Sequence, residues 1–249
     1  MAKEFHYFDL NGLGESIRYL LHYTNQQFKD VRYDLAKWPD ANVKATLAFG
    51  VFPLYKEGDR SLNQSLTIAK YVARGTSLIP DDPWEQAVAE NLAFTVYDYW
   101  SNVKPYIMEP DLEKKYQIKV NVLENTIDFY FSRFEKIMKE NGGFFIGKLS
   151  WAEFVLCGLV ESTELFLGIE MLEKYPTLSW AEFVLCGLVE STELSLGIEM
   201  LEKYPTVKAA LNTIRTSPGV KEYIARRGTY KLPYGTKKYK GLDILDNAK

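Results

Sequence analysis

Apolar positions change their period partway along the chain, and the change divides it in two. Before residue 75, short alternating runs are interleaved with helical ones. Glu4–Phe8 predicts a strand. Glu15–Tyr23, with Ile17, Leu20 and Leu21 at helical spacing, predicts a helix. Phe28–Asp34 alternates again, and Phe52–Tyr55 followed by Glu57-Gly58-Asp59 predicts a hairpin. Ser65–Arg74 reads as a helix, which makes a βαβ unit followed by a hairpin and a helix over 1–75. Gly75–Pro83 (GTSLIPDDP) is rich in turn residues, so 76–83 is read as a linker. Beyond it the period is helical over 84–228. Trp84, Val88, Leu92, Val96, Tyr99 and Val103 form one long stripe. Tyr116, Val120, Leu123, Ile127, Tyr130, Phe134 and Ile137 form another, ended by Gly142-Gly143. Thr206–Thr216 and Pro218–Arg227 predict two short helices, and 229–249 is a tail without strong periodicity.

Residues 149–177 and 178–206 are the same sequence at 28 of 29 positions, the difference being Phe166 against Ser195. Two units are too few for a solenoid. The pattern reads as a tandem duplication inside an ordinary domain, and one copy removed leaves 220 residues. Each copy opens on a capping box, Ser150-x-x-Glu153 and Ser179-x-x-Glu182. Trp151–Val160 is apolar on nearly every face, as a buried helix is. The expectation is that Trp151–Leu165 fills one central slot and Trp180–Leu194 packs outside it.

The composition, 47% hydrophobic and 25% charged over 249 residues, is that of an ordinary globular protein. A net charge of −3 gives no electrostatic argument for nucleic acid or an anionic membrane. No apolar run reaches the ~20 residues of a membrane span. The start, MAKEFHYFDL, lacks the basic-then-apolar pattern of a secretory leader. Cys157 and Cys186 are one cysteine repeated, and two histidines are too few for a His-based metal site, so no metal is expected. These exclusions leave a cytoplasmic protein as the expectation.

Three places carry candidate chemistry. Tyr7 ends the first strand just before the Asn11-Gly12 turn; a phenol there is either core or a donor to a nearby anion such as a thiolate. Phe52-Pro53 begins a strand; the proline is either a plain edge residue or cis, the latter freeing the Phe52 backbone for an extended ligand. Asn63-Gln64-Ser65 precedes a helix and either caps it or receives a carboxylate.

In this order and spacing, HYFDLNGLGESIRYLL, Trp38, FGVFPLY and LNQSLTIAKYVAR resemble the N-terminal domain of cytosolic glutathione transferases, most nearly the sigma class. That class includes insect forms and glutathione-dependent prostaglandin D synthases. DPWEQA and GKLSWAEF are similar to the family's helical domain. The resemblance implies an α/β thioredoxin-like domain followed by an all-α domain, glutathione as substrate or cofactor, hydrophobic electrophiles as partners, and a homodimer. It implies that Tyr7 stabilises the glutathione thiolate. Trp38 and Lys44 would hold the glycine end, Phe52 would pair through its backbone before cis-Pro53, and Gln64 and Ser65 would bind the γ-glutamyl group. Phe8, Leu13, Tyr97, Trp100 and Lys104 are the expected electrophile pocket. Val51 stands where the family commonly has Gln or Lys, Leu13 where many relatives have arginine, and Phe94 where an acidic residue reaches the partner subunit's glutathione. Each lost hydrogen bond to a charged ligand costs about 1.5–3 kcal/mol. The leading reading is conjugation of the glutathione thiolate. The alternatives are a glutathione-dependent isomerase and a weakly catalytic crystallin-like or ligand-carrying protein.

Overall fold

The computed structural model describes residues 2–167 and 204–227. Its sheet is built around β1 (Lys3–Phe8), which pairs in parallel with β2 (Lys29–Tyr33) and antiparallel with β3 (Leu54–Glu57). β4 (Arg60–Asn63) closes the hairpin on β3, so the order is β2-β1-β3-β4. A parallel pair needs a crossover, and α1 (Glu15–Tyr23) supplies it at the bounds its periodicity predicts. α3 (Ser65–Ala73) follows the hairpin. Ile17, Leu20, Ile68 and Ala69 are buried with Phe5 in the core beneath the sheet. This is the thioredoxin-like arrangement. One element escaped the pattern: α2 (Ala41–Ala45), capped by Asp40, has no buried residue and hence no apolar stripe to reveal it.

The rest is helical. α4 (Pro83–Met108) begins with Asp82 accepting the Glu85 amide and with proline in its first turn, where the missing N–H costs nothing. Trp84 departs from the expected stripe and is exposed, because it sits in that first turn, ahead of the part of α4 that faces the core. The second stripe is not one helix. α5 (Leu112–Asn121) passes through a π turn, Val122–Thr126, into α6 (Ile127–Glu140). The wider turn shifts the buried face, so Ile127, Phe131, Phe134 and Met138 carry the core of α6. α7 (Trp151–Leu167), α8 (Pro205–Arg215) and α9 (Pro218–Arg227) complete the description.

α7 is the axis of the molecule. Trp151, Phe154, Leu156, Cys157, Leu159 and Val160 are all buried, and the helix packs against α1, α3, α4 and α8. Its capping box forms with one change of partner: Ser150 Oγ accepts from the Ala152 amide rather than from Glu153. Glu153 reaches back to the Ser150 N–H at 2.9 Å and also takes the Phe145 N–H at 2.7 Å. The domains are joined by buried polar bonds, among them Tyr19 Oη to Glu161 at 2.5 Å. The core slot is thus filled by the first repeat copy. Trp180–Leu194 of the second lies outside the described residues, as does the tail. The second copy's last residues, Tyr204-Pro205-Thr206, lead into α8, whose first amides Glu135 accepts.

Candidate functional site

Tyr7 stands at the end of β1 with its ring against the Gly12–Gly14 turn. A Cβ on Gly14 would collide with Cδ1 and Cγ of that ring, so only glycine leaves room for the phenol. Tyr7 Oη accepts the Leu13 N–H at 3.0 Å. Burial pushes the phenol up to about 12, while the Leu13 amide and the Arg18 guanidinium pull down and Tyr97 adds to the rise. At neutral pH the hydroxyl therefore keeps its proton. One lone pair is engaged by Leu13, and the O–H remains a donor.

Arg18, fully buried, is the residue that sequence reasoning missed. It donates to the carbonyls of Leu10 at 2.8 Å and Phe8 at 3.0 Å, and pairs with Asp30 and Glu15. These bonds fix the chain just after Tyr7, and the guanidinium lies 5.8 Å from the Tyr7 ring centroid. The available signal was a charge three residues after Glu15 within an apolar helix.

A second group of residues surrounds the Phe52-Pro53 bond, which is cis, as is Trp38-Pro39. Phe8, Trp38 and Phe52 form a triangle of rings, each pair 5.4 Å apart. Among the described residues neither the N–H nor the C=O of Phe52 pairs with another backbone group. They form an open edge of the kind an extended ligand adds to. Asn63 Nδ2 donates to the Pro53 carbonyl at 3.3 Å and ties this loop to the end of β4. Gln64 has φ of 73°, a left-handed conformation uncommon for its type, and turns the chain into α3. No side chain caps α3, so its leading amides at buried Ser65 are free to meet an anion. Val51 is exposed beside this edge, and Lys44 is exposed on α2.

The remaining candidates divide. Phe8 and Leu13 are half-buried beside Tyr7, and half-buried Tyr97 faces it from α4. Trp100 is only 4% exposed and packs on Phe166 of α7, so it backs the helical core. Lys104 is exposed further along α4. Phe94 is 52% exposed and lines a separate cavity of about 280 Å³ with Leu62, Leu66, Lys70 and Tyr71. Among the described residues no group of three His, Cys, Asp or Glu stands ready to hold a metal, and no helix is long and apolar enough to cross a membrane.

The chain is similar to known proteins in sequence and fold. Residues 97–179 and 177–227 match the model of the glutathione S-transferase C-terminal domain, the two matches meeting where the repeat copies meet. Glutathione S-transferase S1 of Drosophila melanogaster is 30% identical over 173 residues, 69% of each chain. The hematopoietic prostaglandin D synthase of Gallus gallus is 30% identical over 179 residues, covering 69% of this chain and 84% of its own. The structure of prostaglandin synthase D from Nilaparvata lugens superposes with a TM-score of 0.73 at 25% identity, over 92% of this chain and all of that one.

Proposed function

The chain belongs to the glutathione S-transferase family, and from that premise we propose that Tyr7 donates its hydroxyl proton in a hydrogen bond to the sulfur of glutathione. The bond favours the thiolate, which attacks hydrophobic electrophiles. The observation that carries this reading is the Tyr7 hydroxyl at the end of β1 with its lone pair held by the Leu13 N–H, and burial there favours its protonated form. Such a group stabilises an anion without taking its proton, and its fixed position avoids reorganisation during reaction.

The other residues grip the ligand. The open Phe52 backbone edge before Pro53 suits the cysteinyl part, and the uncapped start of α3 at Gln64 and Ser65 suits the γ-glutamyl carboxylate. Trp38 and Lys44 take the glycine end, and Val51 contributes no side-chain hydrogen bond. Phe8, Leu13 and Tyr97 form the electrophile wall, Trp100 backs it, and Lys104 stands at its rim. The chain works as a cytoplasmic homodimer with exposed Phe94 at or near the interface. Sedimentation showing a monomer at micromolar concentration counts against the dimer.

Tyr7→Phe tests the central claim. Turnover of a chromogenic electrophile should fall about a hundredfold or more, the cost of one preorganised donor. Glutathione affinity by calorimetry should hold, because the hydroxyl is a small part of the ligand's contacts. Full turnover in Tyr7→Phe removes this residue from the mechanism. The likeness to prostaglandin D synthases favours a second reading, in which the same thiolate isomerises an endoperoxide. Product analysis with such a substrate separates conjugation from isomerisation.

A further inference from the structure

Two residues one turn apart on α7 meet the start of α1 and the turn before it, which carries Leu13. A Cβ on Gly158 would stand 2.6 Å from the Ser16 nitrogen, so this glycine lets α7 lie directly on the start of α1. One turn later, fully buried Ser162 places Oγ 2.6 Å from the carbonyl of Gly158 and 3.3 Å from the carbonyl of Gly12. The Gly12 C=O and the Leu13 N–H are two ends of one peptide group. That N–H is the one Tyr7 Oη accepts at 3.0 Å. A hydroxyl in the helical domain is therefore separated from the phenol by a single peptide unit.

We propose that Ser162 is a positioning residue for Tyr7, acting through the Gly12–Leu13 peptide. The proposal rests on the reading of Tyr7 given above. A peptide group is planar, so a bond on its carbonyl end fixes where its N–H points. A donor on the carbonyl also polarises the amide and strengthens the N–H as a donor in turn. The stronger Leu13 bond keeps the Tyr7 lone pair occupied, aims the phenolic proton away from Leu13, and makes that proton a better donor to sulfur. Ser162 has one proton for two carbonyls. The shorter bond, to Gly158, tethers the hydroxyl on its own helix, and the longer one shares the proton with the turn. Arg18 faces the phenol from α1 and Tyr97 faces it from α4, and neither is touched by a change at Ser162.

The test is Ser162→Ala in the full chain, with Ser162→Cys beside it. The alanine variant should lower kcat with a chromogenic electrophile about three- to tenfold, the scale of one neutral hydrogen bond, with KM for glutathione held within about twofold. The acid limb of the pH–rate profile should move to higher pH by roughly half a unit to one unit, which is the same fold-change read as thiolate fraction. The thiolate absorbance of bound glutathione should titrate with it. Ser162→Cys, a weaker donor, should fall between the two. In a Tyr7→Phe background Ser162→Ala should add nothing. An unchanged kcat and pH limb in Ser162→Ala overturns the proposal, as does an equal loss in the Tyr7→Phe background, which marks a general packing defect. If the alanine variant does not fold, the cysteine variant is read by the same outcomes. Full activity of Tyr7→Phe alone sinks the tyrosine reading and this one together. A silent Ser162→Ala beside an impaired Tyr7→Phe overturns only this one.

Discussion

The turn between β1 and α1 and the loop between β2 and β3 both border the candidate site, yet they are held in opposite ways. The turn is buried. Arg18 ties down the carbonyls before it, Gly14 admits the Tyr7 ring, and α7 presses on it from the other domain. The loop is exposed and held mostly by its own short-range bonds. Its turn Leu35–Lys37 and α2 contain no buried residue and depend on Asp34 and Asp40 caps. Beyond these, buried Leu47 and the Trp38 ring anchor it. The lesson is a division of labour. The group proposed to act on the sulfur is over-determined by two domains, whereas the groups assigned to the far end of the ligand rest on locally stabilised backbone. Damage to the turn should be read in kcat and stability, and damage to the loop in KM.

The comparison breaks most visibly at its foundation. Cys157→Arg places an unpaired charge in the fully buried face of α7 and should destabilise the fold by more than ~3 kcal/mol in denaturant unfolding. The matching residue of the second copy, Cys186, lies outside the described residues. Next in size is Gly14→Ala. The new methyl must displace the Tyr7 ring, so kcat should fall about a hundredfold, the cost of a misplaced donor, while glutathione binding is kept. If steady-state kinetics show a KM defect instead, the turn is not where the chemistry is held. On the loop side, Trp38→Ala removes ring contacts with Phe8 and Phe52 and should raise KM for glutathione about tenfold with kcat within about twofold. A kcat loss there would erase the division.

The smallest effect is one of pH. Burial pushes the His22 imidazole down to about 4, and the ring stacks on Tyr223 at 4.3 Å on the braced side of the molecule. The folded state keeps His22 neutral, while the unfolded chain takes up the proton near the ordinary 6.5. Its contribution is present above 6.5 and is lost as pH falls toward about 4. Thermal unfolding of His22→Phe should show a flatter decline across that window than the parent chain. Trp38→Ala should leave the slope of the decline as it is.

Much of the scaffold was readable because burial imposes a period. The bounds of α1 and α9 coincide with the expected ones. Position alone marked Tyr7, Phe52-Pro53 and Asn63-Gln64-Ser65 as places of either structure or chemistry, and only the family resemblance gave them roles. What escaped has a physical reason in each case. α2 buries nothing and so writes no stripe. The π turn adds a residue without changing composition, which is why one long helix was expected where α5 and α6 stand. The stripe assigned to α4 took in Trp84 because period alone does not say where packing begins. Arg18 showed only as a charge three residues after Glu15, Gly14 makes room for the Tyr7 ring only once the turn has formed, and Ser162 has no local signal, since residues 12 and 162 meet only when α7 is docked.

The joining of α7 from the first repeat copy to an α8 led in by the second has a consequence at the level of the gene. The two copies share one phase, so Leu167 and Tyr204 are separated by seven residues plus one full repeat length of 29. An in-frame loss of 29 codons beginning anywhere from residue 149 to residue 178 restores the same short connection, GIEMLEK, from α7 to α8. Thirty different deletions therefore encode only two proteins, which differ in whether phenylalanine or serine stands opposite Trp100. Loss of one repeat length by slippage therefore keeps the register of the fold and chooses only the residue that meets that tryptophan.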